Sequence, residues 1–293
     1  MNAVRSVSLL LSLVLFPLIL AAQSPDTSKI DQILGRSGQK TGDVYRVGFP
    51  RTDLQVVVHG VAIKPGLALG SWAAFTGTGD NATVMGDLVL LQDEVNPVME
   101  KLRAAGFEIT AVHNHLIEET PSVMYMHYMG HGPAAQIAGS LRSALAASKT
   151  PLDKPASPAS EPATPPDWVK TVNDTIGRQG TFRGGVLSFG PPRAQAITMD
   201  GMTLSPAQGV AEAINFQEAG VGKVATTGDF VLTAEEVNPV ISALEEHHIA
   251  VTALHSHMLT EQPRLFFMHF WAADRTESVA QGIKAALSHI AVQ

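Results

Sequence analysis

The chain has 293 residues, a formal net charge of −7 and only 16% charged residues. It has no cluster of Lys and Arg, so nucleic acid is not expected as a partner. It has no cysteine, which excludes disulfides, thiolate metal sites and a lipid-modified N-terminal cysteine. The 45% hydrophobic content is typical of a globular protein.

Residues 1–22 have the pattern of a secretory signal peptide. Arg5 precedes an apolar run from Val7 to Ala22, and about 16 residues are too few for the roughly 20 that span a bilayer. We therefore expect cleavage near Ala22 and no stable membrane anchor afterwards. An exported protein without disulfides is expected in a bacterial periplasm or exterior.

The next part of the chain predicts short strands followed by helices. Strands are expected at 44–47, 54–63, 71–76, 83–91, 107–115 and 122–129, and helices at 93–105 and 133–147. The Gly86-Asp87 pair is interpreted as a turn, and the Glu94-Val95-Asn96-Pro97-Val98 run as a helix start. This order indicates an α+β fold, a mostly antiparallel sheet with helices packed on one face.

A proline-rich stretch at 148–167 with few bulky apolar residues predicts an extended linker. It separates a first repeat domain, 28–147, from a second, 168–293. Residues 86–145 align without a gap onto 228–287 at an offset of 142, with about 21 identical positions. Helices are accordingly expected at 235–248 and 276–290, and strands at 249–257 and 264–271. How the two repeats pack together does not follow from the sequence.

Three histidines and one glutamate recur in both repeats. They are His113, His115, His127 and Glu119 in the first copy, and His255, His257, His269 and Glu261 in the second. Alternate residues of a strand share a face. A hairpin centred near Thr120 would place His127 opposite His113, so three imidazoles are expected to converge in each repeat. His59, His131, His247, His248 and His289 have no counterpart and are interpreted as structural.

Imidazole clusters of this kind are typical of Zn, Cu, Fe and Ni sites. Three histidines with an open position is the arrangement of a catalytic zinc. Glu119 and Glu261 are candidates for a fourth ligand, which would also suit Fe or Mn, or for a catalytic carboxylate. A metal-free site and a structural histidine network remain the alternatives. Arg264 replaces Ser122 and predicts an anion-binding role in the second copy alone.

The motif carries a family resemblance. Ala253-Leu254-His255-Ser256-His257-Met258-Leu259 with Glu261, Pro263 to Phe267 and Met268-His269-Phe270-Trp271 resembles the LppY/LpqO family of bacterial exported proteins. His113-Asn114-His115 with Glu119, Pro121 and His127 is similar to the same pattern. The resemblance covers both repeats and implies a tandem domain of unknown function, without a family activity.

The leading hypothesis is an exported protein that binds one divalent transition metal per repeat, zinc first, with the second copy the better site. Hydrolysis or elimination on a small-molecule substrate is the chemistry such a site would serve. The alternatives are a non-catalytic periplasmic protein that binds a metal or small ligand, and a structural or interaction module. Metal affinity is expected to fall as pH drops through about 6 to 7, where unperturbed histidines titrate.

Overall fold

The computed structural model describes residues 25–152 and 164–293. The predicted signal peptide and most of the predicted linker lie outside these residues. No helix within the described ranges is long and apolar enough to cross a membrane.

The first repeat begins with a helix that the sequence analysis did not predict, followed by the expected mixture of strands and helices. Its elements are α1 (Thr27–Leu34), β1 (Gln39–Thr41), β2 (Val44–Pro50), β3 (Val57–Val58), β4 (Val61–Ala62), α2 (Pro65–Ala68), β5 (Gly70–Gly77), β6 (Ala82–Leu91), α3 (Gln92–Ala104), β7 (Glu108–His113), β8 (Glu119–Thr120), β9 (Val123–Gly132) and α4 (Ala134–Leu145).

The second repeat follows the same plan. Its elements are α5 (Asp167–Ile176), β10 (Thr181–Arg183), β11 (Val186–Phe189), β12 (Thr198–Met199), β13 (Met202–Thr203), a 3₁₀ turn (Pro206–Gln208), β14 (Ala213–Glu218), β15 (Lys223–Leu232), α6 (Ala234–Glu246), β16 (Ala250–His255), β17 (Phe266–Arg275) and α7 (Thr276–Leu287).

Each repeat is built on a six-stranded antiparallel sheet with the same strand order. The orders are β1-β2-β5-β6-β9-β7 and β10-β11-β14-β15-β17-β16. The predicted α+β fold in two tandem copies is thus confirmed. In both copies α3 or α6 carries the chain from a central strand to the edge strand, and the long strand β9 or β17 then fills the space between them.

The same polar side chain lies in the first turn of the equivalent helices α3 and α6. A carboxylate oxygen of Glu94 accepts a hydrogen bond from the N–H of Leu91, and Glu236 does the same for Thr233, both at 2.8 Å. These bonds satisfy amide groups that a helix start leaves without a partner. The interpretation of Glu-Val-Asn-Pro-Val as a helix start is therefore confirmed.

The strand faces alternate as the sequence predicts. Met126 and Tyr128 of β9 lie in the core between the first sheet and its helices, and Met268 and Phe270 of β17 lie in the corresponding core of the second repeat. The intervening residues point to the opposite face of each sheet, away from the helices that cover this core.

These opposite faces of the two sheets pack against each other, and the short helix α2 of the first repeat packs against β14 and β15 of the second. Tyr125 lies in one apolar cluster with Val186 and Trp271 of the second repeat. Met85 and Met129 lie in another with Phe267 and other residues of that repeat. The molecule therefore has four layers, helices, sheet, sheet and helices, and the faces that carry the recurring histidines form the buried interface.

Equivalent segments of the two repeats each accept a hydrogen bond from the other repeat across this interface. Asn215 Nδ2 donates to the carbonyl of Leu67 in helix α2 at 3.0 Å. In the opposite direction, Arg46 Nη1 donates to the carbonyl of Ala207 in the 3₁₀ turn at 3.1 Å. The two repeats thus contact each other reciprocally, in the manner of a twofold-related pair.

Two local predictions were wrong. The strand expected over 54–63 is a small hairpin of β3 and β4, because His59 and Gly60 both adopt positive φ and turn the chain. The turn expected at Gly86-Asp87 lies inside β6, where Asp87 pairs with His127 of β9, and Asp229 pairs likewise with His269. From the sequence alone a polar residue in the middle of a strand is easily taken for a turn, because the sequence does not show which buried residue it lies opposite.

Candidate metal centre

The recurring histidines come from one strand end, the loop after it and the neighbouring strand. His113 ends β7, His115 follows it, and His127 lies in β9. His113 lies opposite Tyr125 and His127 opposite Ala111, which centres the hairpin on Glu119 instead of Thr120; a bulge interrupts the pairing only farther along, between Ile109 and Ala111. The predicted pairing of His113 with His127 is wrong by two residues. Because the shift is even, both side chains stay on the same face.

The six recurring histidines meet in one place. Their closest ring pairs each join the two repeats: His113 with His255, with centroids 3.6 Å apart, His115 with His269 at 3.7 Å and His127 with His257 at 3.7 Å. The two triads, expected as separate sites, are parts of a single centre between the sheets.

The ligand nitrogens of these histidines form two groups, and within each group all of them lie within 4.8 Å of one another. One is the first-repeat triad of His113, His115 and His127. The other, which we call the four-histidine set, contains His113, His255, His257 and His269. The convergence predicted from the spacing therefore occurs in both repeats, and His113 belongs to both groups.

All six Nε2 atoms are buried and have no hydrogen-bond partner within the described residues. In three of these side chains the other ring nitrogen, Nδ1, lies close to a backbone carbonyl. These are His113 with Asn114 at 3.1 Å, His255 with Ser256 at 3.4 Å and His269 with Gly228 at 2.9 Å. A ring held through Nδ1 with a free Nε2 is the usual geometry of a metal-ligating histidine.

The free-energy cost of burying these nitrogens also favours a bound metal. A buried polar atom without a partner costs about 1–3 kcal/mol. Six of them would together cost about as much as the whole stability of a typical domain, roughly 5–15 kcal/mol. The donor set, six neutral nitrogens without sulfur, fits a divalent transition metal.

Burial keeps these imidazoles uncharged. Burial and the neighbouring His255 lower the pKa of His113 to about 3. Burial is also the main cause that lowers the pKa of the other five. Metal ligation needs neutral imidazole. Metal affinity was expected to fall as the pH drops through about 6 to 7, the range in which unperturbed histidines titrate. Because burial lowers the pKa values of these histidines, we now expect the fall in affinity at a lower pH.

Two aspartates border the histidines, and the sequence analysis missed them. Asp87 Oδ1 lies 3.8 Å from His127 Nε2, and the Asp229 carboxylate lies 3.7 Å from His257 Nδ1 and 3.8 Å from His269 Nδ1. Oδ1 of each aspartate is buried without a hydrogen-bond partner among the described residues. The signal was present, since Gly-Asp recurs in both copies inside an otherwise apolar stretch.

Burial dominates the electrostatics of these carboxyl groups. It raises the pKa of Asp87 to about 8, against the opposing charge of Arg46. It also raises the pKa of Asp229, with contributions from Glu212 and Asp87. A nearby cation would favour the ionised forms.

Each of the two predicted glutamates accepts a hydrogen bond from the backbone of its own loop. Glu119 Oε1 accepts a hydrogen bond from the N–H of Val123 at 3.2 Å, and Glu261 Oε1 accepts one from Leu265 at 3.0 Å. Both bonds brace the loop that leads into the long strand. Neither glutamate belongs to the groups of ligand atoms found among the described residues.

Other predicted polar residues also lie outside the centre. Arg264 bonds to the carbonyl of Met258 and to Glu261 within the same loop. Of the histidines without a counterpart, His131 pairs with Thr83 through Nδ1 at 3.0 Å, and His59 lies 3.5 Å from Glu118.

A cavity of about 690 Å³ opens onto the centre from between the repeats. Its wall includes His115, His127, His257, Asp87 and Asp229. Tyr125, whose ring stacks on that of His115, also lines it. The volume is in the range of small-molecule binding sites.

Comparison with known proteins identifies the repeats. The family described as "Domain of Unknown Function (DUF1259)" matches residues 28–147 and again residues 170–289. No curated protein shows significant similarity to the chain. One solved structure, "Crystal structure of a trimeric bacterial microcompartment shell protein PduB", is similar at 12% identity, covering 86% of this chain and 89% of that chain. Its TM-score is 0.20, which is too low to indicate a shared fold.

Proposed function

The chain belongs to the family of tandem domains described as "Domain of Unknown Function (DUF1259)", and we propose that it is an exported metalloprotein that holds a divalent transition metal between its two repeats. The four-histidine set is the primary site. Zinc is the first candidate, since four neutral nitrogens suit its tetrahedral preference, and Cu, Fe, Ni and Mn are the alternatives. The membership in the LppY/LpqO family and the bacterial periplasmic location remain parts of this proposal.

One observation carries the proposal: six Nε2 atoms from two repeats are buried together without hydrogen-bond partners among the described residues. All three recurring histidines of the second repeat belong to the four-histidine set, whereas the first repeat contributes His113 alone. The second repeat is therefore the stronger contributor to this site. The Gly228 carbonyl holds Nδ1 of His269 at 2.9 Å, as an outer-sphere partner of a metal-ligating histidine does. The Asp229 carboxylate lies near the same ring and near His257, at 3.8 and 3.7 Å, which is beyond hydrogen-bond distance.

The cavity favours a second candidate function, catalysis on a small molecule. Four histidine ligands would close the site to water, whereas the first-repeat triad of three histidines would leave a coordination position open. A divalent ion held there would lower the pKa of a coordinated water toward neutrality, the chemistry of metal-dependent hydrolases and lyases. Among the protein's own groups, Asp87 and Asp229 combine a place on the cavity wall with a carboxylate near the histidines. They are better placed than Glu119 and Glu261 to accept or return a proton.

The test is the metal content of the full chain, purified without chelators and then titrated with Zn²⁺. We expect bound metal in the wild type and the loss of about one equivalent in His255→Ala/His257→Ala. The matched control is His131→Ala/His289→Ala, which removes two exposed histidines outside the centre. A wild-type protein that takes up none of Zn, Cu, Ni, Fe or Mn would refute the proposal.

A further inference from the structure

Arg46 is the one Lys or Arg side chain among the described residues that line the cavity. Its guanidinium lies over the ring of Trp72, with Cζ 3.9 Å from the ring centroid. Trp72 packs in turn on the second repeat, where a Cβ at Gly209 would lie 3.1 Å from its ring. The hydrogen bond from Arg46 Nη1 to the Ala207 carbonyl, at 3.1 Å, holds the same group from another side. The guanidinium is therefore fixed in one place on the cavity wall.

The other edge of this guanidinium has no partner within the described chain. Of the three side-chain nitrogens, Nη1 alone donates to another described residue, which leaves Nε and Nη2 free. Burial lowers the pKa of Arg46 to about 10, against the opposing effect of Asp87, so the group stays charged near neutral pH. Asp87 itself lies beyond ion-pair distance from it. Two parallel N–H groups on a charged guanidinium form the edge that binds a carboxylate through two hydrogen bonds.

The duplication shows that the shared fold does not require this arginine. The pairing of β2 and β11 with their edge neighbours places Ser188 at the position of Arg46. Trp72 is replaced by Ala213, since each lies opposite the aspartate of its own repeat. Ser188 and Ala213 also line the cavity. The cavity therefore has a cation on an aromatic ring at one side and small side chains at the equivalent place on the other.

A row of paired residues connects the guanidinium to the histidine centre. Gly48, two residues from Arg46 on the same face of β2, lies opposite Trp72. Trp72 lies opposite Asp87, and Asp87 lies opposite His127. Arg46 reaches along this row as far as Trp72, which is two strands away from His127. Because neighbouring strands are about 4.8 Å apart, the guanidinium and the centre are separated by roughly 10 Å. An organic molecule with a chain of several carbons spans this distance.

The charges on the cavity wall select the kind of anion. Three acidic side chains share this wall with Arg46, namely Asp87, Asp229 and Glu212. Burial raises the pKa of each, to about 8 for Asp87 and for Glu212. A dianion such as phosphate would meet one fixed cation beside these carboxyl groups, whereas a monoanionic carboxylate matches the single guanidinium. Phe189 on the same wall suits the hydrocarbon part of such a molecule.

We propose that Arg46 binds the carboxylate of a small organic monocarboxylate whose other end reaches the histidine centre, and that Trp72 positions the guanidinium for this contact. The inference names the substrate class of the proposed metal site, so the part played by the metal rests on the proposed function. The contact between Arg46 and the carboxylate requires no metal.

The experiment is calorimetric titration of the full chain with hexanoate, with its neutral analogue hexanamide and with inorganic phosphate. The Zn²⁺ content is determined on the same samples. We expect hexanoate to bind about 10–100-fold more tightly than hexanamide, the gain of a charge-assisted contact, and more tightly than phosphate. In Arg46→Gln this preference should disappear while hexanamide binding stays unchanged. Arg46→Lys keeps the charge without the planar fork and should retain a reduced preference.

The matched control is Arg103→Gln, which removes an exposed arginine on α3 and should bind all three probes as the wild type does. The preference for the carboxylate distinguishes binding from a structural role, because a loosened contact between the repeats would weaken hexanoate and hexanamide alike. Near-UV circular dichroism establishes that each variant is folded. Where Arg46→Gln does not fold, a preference in Arg46→Lys as large as that of the wild type refutes the inference.

The remaining outcomes separate the two claims. A wild type that binds no hexanoate, or binds hexanamide or phosphate as tightly, refutes the inference, as does a preference retained in Arg46→Gln. Binding of hexanoate that depends on Arg46, in a chain that takes up no metal, would refute the proposed function and leave this contact standing. A chain that holds metal and shows no dependence on Arg46 would do the reverse.

Discussion

His113 and His255 occupy equivalent positions in the two repeats, and their rings stack on each other with centroids 3.6 Å apart and planes 28° apart. The other close pairs, His115 with His269 and His127 with His257, interchange when the repeats are exchanged. The centre thus has an approximate twofold axis that passes between His113 and His255. Each repeat supplies three of the six histidines, so neither repeat forms the centre alone.

This arrangement predicts that a substitution in the first repeat weakens metal binding by the second. His113→Ala removes a ligand of the four-histidine set while leaving the second-repeat triad intact. We expect Zn²⁺ affinity to fall by at least about 10–100-fold, the loss that even an outer-sphere partner causes. Competition with a chromophoric chelator measures it.

His131→Ala is the matched control, because His131 lies in the same strand as His127 but outside the centre. Unchanged Zn²⁺ affinity in His113→Ala would mean that the two repeats bind metal independently.

Much of this centre was predictable from the duplication. The recurrence of His113, His115 and His127 identified the ligands, and strand alternation placed them on one face. The sequence could not show that this face is the interface, because the same alternation would suit a solvent-lined pocket. Asp87 was misjudged for a related reason. A carboxylate inside an apolar strand is interpretable only when the opposite sheet is known.

A buried ion pair that recurs in both repeats, Arg51 with Glu94 in the first, predicts a large effect on stability. The Arg51 side chain is fully buried, and its Nη1 lies 2.7 Å from Glu94 Oε2. The second repeat has Arg193 with Glu236 at 2.8 Å. Removing one partner of a buried pair leaves an uncompensated charge, so Arg51→Ala should lower the free energy of unfolding by about 3–5 kcal/mol.

Denaturant unfolding with a chelator present measures this effect without a contribution from metal binding. Lys170→Ala is the control, since Lys170 pairs with Asp174 on an exposed helix surface. Its cost should be about 0.2–1 kcal/mol. Equal costs for the two variants would contradict the structural role of Arg51.

The same pair predicts how stability depends on pH. Burial alone would raise the pKa of Glu94, but hydrogen bonds from Arg51 and from the N–H groups of Lys149 and Leu91 outweigh it and lower the pKa. A carboxyl group with a depressed folded-state pKa stabilises the fold above its unfolded pKa, about 4.3 for Glu. That contribution is lost as the pH falls through the folded-state pKa.

We therefore expect the free energy of unfolding of the wild type to decline below about pH 4.3. Glu94→Gln should be less stable at pH 7 and should decline less steeply over the same acid range. Parallel pH profiles for the two proteins would show that Glu94 does not contribute.

Gly86 and Gly228, which precede the two aspartates, have no room for a side chain. A Cβ at Gly86 would overlap Tyr128 Oη and the Trp72 carbonyl, and one at Gly228 would overlap the Ala213 carbonyl. The backbone obstacles cannot move without shifting the neighbouring strand. Gly228 also supplies the carbonyl that His269 Nδ1 contacts at 2.9 Å. Gly86→Ala and Gly228→Ala should each cost about 1–3 kcal/mol or more, as overpacking does.

Gly228→Ala should in addition weaken Zn²⁺ binding, because displacing this carbonyl releases the ring of His269. The control is Gly139→Ala in α4, where an added Cβ meets nothing within 4 Å. In a helix interior this change should stabilise by about 0.5–1 kcal/mol. Thermal unfolding and Zn²⁺ titration of the three variants provide the measurement. A Gly228→Ala variant that is as stable as Gly139→Ala and keeps full Zn²⁺ affinity would contradict the close approach of β14 to β15 beside His269.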